Sequence, residues 1–382
     1  MRIVIYEDKH ERFYPLVNLF PQYRLRVGAR TIAENTERFF GRVKVDYAAR
    51  PIFDIEPLRP DGPTLYLSGR LLLCGPIVTP RSDARIEVDG KAVGLAKIEP
   101  PFPATPAEIE DAVQTSTRRL AAKGKVLEDI WDIVTLCTDM INEQCSSRKA
   151  KPGRSRRAAG SGDIHVARTA KVHRMVSLDA SDGPIYIDSG AEIRPFSSIK
   201  GPCYIGPFTV VDRAKITKSS IGPQCRIGGE VEASTFQGFA NKHHEGFIGH
   251  SYVGEWVNLG ALTTNSDLKN NYGSIRLQIG SAKVETGLTK LGCFIADHTK
   301  LGIGTLIPTG CVAGSFVNFA GGGMMPAYVR DFTWLTSDRQ EPYELDKAIA
   351  TARSVLGRRN VKMACQYEQL IRSLHDRVRR SD

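Results

Sequence analysis

Aliphatic residues recur every six positions through the second half of the chain: Val166, Val172 and Leu178, then Ile187, Ile193, Ile199, Ile205 and Val211. The beat resumes at Ile221 and Ile227, at Val253 and Leu259, and at Ile295, Leu301 and Ile307. A period of six matches neither the 3.6 of a helix nor the alternation of a hairpin sheet. It matches short strands joined at tight corners, with one aliphatic side chain per strand entering a stacked interior. Small residues follow at the corners, as in Ile205-Gly206 and Leu301-Gly302. Three strands close one coil in about eighteen residues, so 161–335 predicts a parallel β-helix of about eight or nine coils.

Two stretches lose the beat, 236–247 and 262–274, and are rich in Asn, His, Lys and Gly. Both are expected to leave the coil as loops, and the functional site is expected among them. Upstream, 1–147 reads as a small α/β unit with strands at 2–6, 43–47 and 65–73, a helix within 29–40 and another from Asp129 toward Cys145. This alternation predicts a doubly wound sheet. No glycine-rich phosphate loop follows the first strand, where IVIYEDKHER stands instead. In 336–382 two helices are expected, one with Leu345, Ile349, Ala352 and Leu356 on a face, the other with Tyr367, Leu370, Ile371 and Leu374. Such faces cap an open coil end or pack on a neighbouring subunit.

A chain of 382 residues, 41% hydrophobic, is long enough for two cores. The net charge of +10 raises the question of a nucleic-acid partner. Six cations without an acid lie between Arg148 and Arg157, and ten cations against seven acids lie in 337–382, which leaves the body near neutral. The segment 148–160 therefore reads as a basic linker, and no nucleic-acid partner is expected. Neither is a membrane partner: no apolar run is long enough to span, and MRIVIYEDKHER turns charged too early for a secretory signal. Eight scattered cysteines without a CxxC pair fit a reducing cytoplasm.

Specific segments carry a resemblance: IVIYED at the start, LRVGARTI at 25–32, LYLSGRLL at 65–72, WDIV at 131–134, NKHHEGFIGHSYVGEWVNLG at 241–260 and SDLKNNYG at 266–273. Over about 1–335 the chain resembles the bacterial sugar nucleotidyltransferase family related to the bifunctional N-acetylglucosamine-1-phosphate uridyltransferase/glucosamine-1-phosphate acetyltransferase. The resemblance implies a reduced nucleotidyltransferase-like α/β domain followed by a left-handed parallel β-helix with C-terminal helices. It also implies a cytoplasmic homotrimer of nucleotide-sugar metabolism that takes acetyl-CoA as acyl donor and a sugar phosphate as acceptor. His244 falls on the family's catalytic His, Asn258 on a substrate-contacting Asn, and Asn271-Tyr272 on a later Asn-Tyr pair. Ala261 and Asp297 are implied beside the cofactor. Phe247 stands where the relatives carry a substrate Tyr, and Glu230 and Glu232 stand where they carry a basic residue. Phosphate recognition then falls to Lys242, Lys269 or Arg276.

The residue types suit that chemistry. An amine attacking a thioester must lose a proton, and an imidazole near neutrality accepts it. Backbone N–H groups at a corner, or the Asn258 amide, can face the developing oxyanion. Asn and Tyr suit a hydroxyl-rich sugar. A zinc site of the carbonic-anhydrase β-helix type would draw on His243, His250 and His298, but the close His-x4-His pair is missing and no metal is expected. A non-catalytic, trimeric sugar-nucleotide-binding scaffold is the main alternative. In the first domain, Arg24, Arg26, Arg30 and Arg70 are candidate phosphate contacts and Asp132 is the best remaining carboxylate. Mg²⁺ enters only if that domain is active. Ser68-Gly69-Arg70 places a cation where relatives carry a metal-binding Asp, so weak or absent nucleotidyl transfer is expected.

Overall fold

The computed structural model describes residues 1–146 and 163–380, so the expected linker at 148–160 lies outside the described residues. The chain divides into two compact units. The first comprises 1–13, 20–25 and 30–130; the second comprises 14–19, 26–29 and 131–382.

The first unit is built on a six-stranded sheet in the order Val45–Ala48, Arg2–Tyr6, Thr64–Ser68, Lys91–Lys97, Ala84–Val88, Arg119–Ala121. The first three strands run parallel. The next two form an antiparallel hairpin closed at Asp89-Gly90, where both residues have positive φ. An Asp-Gly pair suits such a turn because glycine adopts that conformation without strain. Both faces of the sheet are covered: Ile3, Leu65 and Leu67 pack on one side, while Val4, Tyr66 and Leu95 meet Ile109 and Val113 of the Pro106–Thr115 helix on the other. The sheet is mixed, which corrects the doubly wound expectation: the hairpin adds antiparallel strands to the three parallel ones. A second correction concerns 65–73, which is two strands broken at Gly69-Arg70.

In the second unit the six-residue beat folds as a left-handed parallel β-helix. Nine strands stack on its first face, from Ile164–Val166 to Tyr328–Val329, each paired in parallel with the next. A second face carries the Val172, Ile193, Val211 and Ile227 series, and a third the Leu178, Ile199, Ile216 and Val231 series. These side chains form one continuous interior with Ile187, Ile205, Ile221 and Val253 of the first face.

Of the two stretches that lose the beat, 236–247 stays in the coil, against expectation, whereas 262–274 leaves it as expected from residue 266 onward. Residues 235–249 stay in it as three short strands, with Lys242 in register with Ile227 and therefore inside. Lys242 is 1% exposed, and its Nζ donates to the carbonyls of Gly228 (2.9 Å) and His244 (2.7 Å). Asn265, in register with Ile307, also occupies an interior position; its Oδ1 accepts from Gly249 N (2.7 Å) and its Nδ2 donates to Gly249 O (3.0 Å). Buried polar groups are tolerated where they are fully bonded, so the coil continues without its aliphatic marker. The chain departs only after Asn265, and 266–291 forms an arm with the hairpin Arg276–Ile279/Ala282–Glu285 before re-entering at Gly292.

The corner between the first and second faces places Phe208, Gln224, Phe239, Trp256, His298, Phe316 and Phe332 at one left-handed position per coil. Most of these rings stack: Phe239 on Trp256 at 4.3 Å, His298 on Phe316 at 4.7 Å, Phe316 on Phe332 at 4.8 Å. Positive φ is unfavourable for such residues, and stacking of about 0.5–1.5 kcal/mol per pair helps offset the strain. The helices Leu345–Gly357 and Cys365–Arg380 belong to the same unit, and Tyr367 and His375 of the second meet this ladder.

Candidate functional site

The outer side of the second face presents a column of polar residues, since side chains alternate inward and outward along a strand. Arg226, Asn241, Asn258 and Lys300 stack there in register. The Asn241 amide donates to Asn258 Oδ1 at 2.8 Å. A cleft of about 550 Å³ opens over this column, with Phe239, Trp256, His243 and Arg194 at its walls. Thr351, Val355, Arg358 and Arg359, in and just after the Leu345–Gly357 helix, line it from the other side. Its lining contains no carboxylate.

His243 and His244 lie at the corner between the second and third faces. His243 is half-buried, with Nε2 3.8 Å from Asp212 Oδ2 and a buried Nδ1 without a partner among the described residues. Burial pushes His243 below the ordinary imidazole range, against the opposing pull of Asp212. His244 is exposed, its carbonyl held by Lys242 and its ring edge-on to His243 at 5.2 Å. Beneath the cleft the Lys300 head group donates to the carbonyls of Trp256 (2.6 Å) and His298 (2.9 Å), and burial pushes it down to about 7 while Asp297 pulls back.

Of the residues singled out from sequence, Asn258 lines this cleft and His244 sits next to the cleft residue His243. Lys242 is corrected: it faces the interior and ties two carbonyls, so it is not offered to a substrate phosphate. Asp297 is also corrected as a cofactor contact, because it is 2% exposed and its Oδ1 accepts from Glu255 N at 2.6 Å. Ala261 lies at the corner after Leu259, its carbonyl accepting from Gly304 N at 2.8 Å. Asn271, Tyr272 and Arg276 are all on the arm and do not line the cleft. Asn271 Oδ1 accepts from Gly273 N at 3.0 Å, Tyr272 is 73% exposed, and Arg276 lies 3.7 Å from Glu285. Lys269 donates to Ser274 O within the same arm.

Of the candidates expected in the first domain, Arg70 and Arg26 are spent on structure. Arg70 is 2% exposed; its Nε and Nη2 donate to Asp8 Oδ2 at 2.9 and 2.7 Å, and its Nη1 to Glu128 Oε1 and Leu127 O, each at 3.1 Å. Arg26 belongs to the second unit, where its side chain donates to the carbonyls of Gln237 (3.3 Å) and Ala29 (2.9 Å). Asp132 also belongs to the second unit, opening the short Asp132–Thr135 helix. Arg24 is exposed, and Arg30 is half-buried.

The zinc alternative loses its geometry. His243, His250 and His298 occupy three different corners of the prism. His250 Nδ1 is paired with Asp267 at 2.7 Å, and His298 Nε2 with Tyr367 at 2.8 Å. Among the described residues no group of three or more His, Cys, Asp or Glu side chains is arranged to hold a metal.

Arg226, Asn241, Arg358 and Arg359 were not anticipated. Adding one coil length to Asn241 reaches Asn258, so that pair was legible from spacing. No local pattern places the two tail arginines over them.

The architecture is a left-handed parallel β-helix in one unit and an α/β sheet in the other. In sequence the chain is similar, at 28% identity over 155 residues and 37% of each chain, to a bifunctional sugar-1-phosphate nucleotidylyltransferase/acetyltransferase of Sulfurisphaera tokodaii. The GlmU bifunctional protein of Jannaschia sp. matches at 33% over 111 residues, 28% of this chain and 24% of the relative. That of Methanocaldococcus jannaschii matches at 30% over 116 residues, 30% and 26% of the two chains. The chain thus spans well under half the length of these curated relatives. No family model matches it. Solved structures similar to it include the polysialic acid O-acetyltransferase OatWY, at 14% identity with 47% and 87% of the two chains covered and a TM-score of 0.23. A perosamine N-acetyltransferase mutant from Caulobacter crescentus, in complex with CoA and GDP-perosamine, matches at 13% identity with 90% and 96% covered and a TM-score of 0.13. Among the described residues no helix is long and apolar enough to cross a membrane.

Proposed function

We propose that the β-helix transfers an acyl group, acetyl in the simplest case, from acyl-CoA to the amino group of an amino-sugar phosphate, with His244 as general base. The observation that carries this reading is an exposed imidazole at the corner beside a cleft that offers paired amides and cations. The amine nitrogen attacks the thioester carbonyl carbon, His244 takes the proton that nitrogen sheds, and the carbon–sulfur bond breaks. The departing thiolate then receives that proton. Asn258 and Asn241, which hydrogen-bond without imposing charge, suit the sugar hydroxyls. The similarity to bifunctional sugar-1-phosphate nucleotidylyltransferase/acetyltransferases supports the substrate class.

A homotrimer is part of the proposal. Leu262, Ile303, Leu306 and Met324, between 43% and 75% exposed, stack on successive coils of the second corner and third face, beginning one coil from His244. Exposed contiguous apolar surface marks interaction sites, and a second copy would also bring Asn271, Tyr272 and Arg276 of its arm within reach of a neighbour. A cytoplasmic setting fits such substrates. For the first unit we infer weak or absent nucleotidyl transfer, supported by the closed Arg70–Asp8–Glu128 cluster at the strand ends.

The test is acetyl-CoA consumption over a panel of amino-sugar phosphates. His244→Ala is expected to lower kcat by roughly 10²–10⁴-fold, with His243→Ala milder. Equal activity of wild type and His244→Ala rejects the base assignment. Absence of CoA binding favours a sugar-nucleotide-binding scaffold.

A further inference from the structure

Acyl transfer does not itself require the cations that roof the second face. Arg226 rises from that face with Nη1 anchored on the carbonyls of Cys225 (2.9 Å), Phe208 (3.1 Å) and Gln224 (3.3 Å). Arg358 caps the Leu345–Gly357 helix and Arg359 follows it. Arg359 Nε is buried without a partner among the described residues. Arg194 and Lys300 lie beside them, but Arg194 is engaged by Asp212 at 3.2 Å and the Lys300 head is tied to two carbonyls. Three guanidinium groups therefore converge where the lining supplies no carboxylate. Burial and the neighbouring Arg359 lower the pKa of Arg226, with Glu192 pulling partly the other way, while burial and Arg358 lower that of Arg359. The helix C-terminus offsets some of this crowding through its partial negative charge.

We propose that this cleft is a phosphate site, in which Arg226, Arg358 and Arg359 hold the phosphoryl group of a hydroxyl-rich small molecule whose hydroxyls meet Asn241 and Asn258. A planar guanidinium binds two phosphate oxygens at once, and the cleft volume suits a ligand of this size. Two of the three cations come from 336–382, beyond the segment that resembles the nucleotidyltransferase family, so this is a device of the tail. The inference deepens the acyl-transfer reading and rests on it only for the ligand's source. The phosphate belongs either to the sugar acceptor or to the ribose of the acyl carrier.

Titration calorimetry at low ionic strength separates the sources, with CoA, dephospho-CoA and glucosamine 1-phosphate as probes of wild type, Arg358→Gln, Arg359→Gln and Arg359→Lys. At least one probe is expected to bind wild type, to weaken about tenfold in either glutamine variant, to recover partly in Arg359→Lys, and to weaken with added salt. A preference for CoA over dephospho-CoA that vanishes in the variants assigns the ribose phosphate; loss of glucosamine 1-phosphate binding assigns the acceptor. Arg358 is exposed, so misfolding does not account for its effect, and a purely helix-capping role would move Tm without moving affinity. Unchanged affinities in both glutamine variants, or no binding of any probe by wild type, overturn the proposal. Binding needs no turnover, so an active His244→Ala would reject the base while leaving this result intact.

Discussion

Lys242 shows how a single residue conceals a fold from a reader of sequence. The hexapeptide beat was legible because the interior accepts only apolar side chains at most rungs, and it failed where a lysine and an asparagine satisfied backbone carbonyls instead. That is why 236–247 reads as a loop while remaining a coil. The same residue predicts a pH signature. Burial pushes the Lys242 ammonium down to about 8, against a partial pull from Glu245 and an ordinary value of 10.5. Between those two values the unfolded chain holds the proton more firmly than the folded one, so stability rises with pH across about 8 to 10.5 by roughly 1 kcal/mol per unit. Urea unfolding followed over that range should show the slope in wild type and its loss in Lys242→Met. The methionine variant is also expected to be less stable near neutrality, because two buried carbonyls lose their donor.

At the scale of elements, the strand break at Gly69-Arg70 turns a presumed phosphate ligand into a clamp. Arg70 joins the end of one strand to Asp8 beyond another and to Glu128, and each partner is needed to keep the others from being buried unpaired. Arg70→Ala is expected to destabilise the first unit by about 3–5 kcal/mol, measured by denaturant unfolding. If Asp132 instead served catalysis, wild type would release pyrophosphate from a nucleoside triphosphate and a sugar phosphate with Mg²⁺ present; a robust rate abolished by Asp132→Ala would overturn the inference of weak or absent activity. The first-domain strands at 2–6 and 43–47 were readable from hydrophobic runs. The hairpin of 84–97 was missed even though Asp89-Gly90 signals its turn and Arg85-Ile86-Glu87-Val88 alternates as a strand does, because its second strand, KAVGLAK, sets only Val93 and Leu95 among small residues and so gives a weak apolar signal. The tail helices were legible from their 3.6-residue spacing, but their placement beside the second face depends on tertiary packing that no local period encodes.

For the whole molecule, the proposed trimer makes a claim separable from chemistry. Sedimentation should give three times the chain mass, and Ile303→Glu with Leu306→Glu should yield smaller species, since charge on an apolar contact is strongly unfavourable when buried. If the active site is shared between copies, acetyl transfer falls with assembly although His244 is untouched. A monomeric wild type with full activity would reject the shared site. Sequence pointed to the arm through its Asn-rich composition. It gave no hint of the partnership between the tail arginines and the Asn column, because a helix and a coil about a hundred positions apart share no pattern.

The stacked pair Phe239–Trp256 gives the cleft its own optical reporter. Trp256 is one of three tryptophans and lines the cleft wall, whereas Trp131 and Trp334 lie outside that lining. An anion arriving near the indole should shift or quench its emission against a steady background from the other two. Occupancy can then be followed continuously in the unlabelled protein, including while substrates are being turned over.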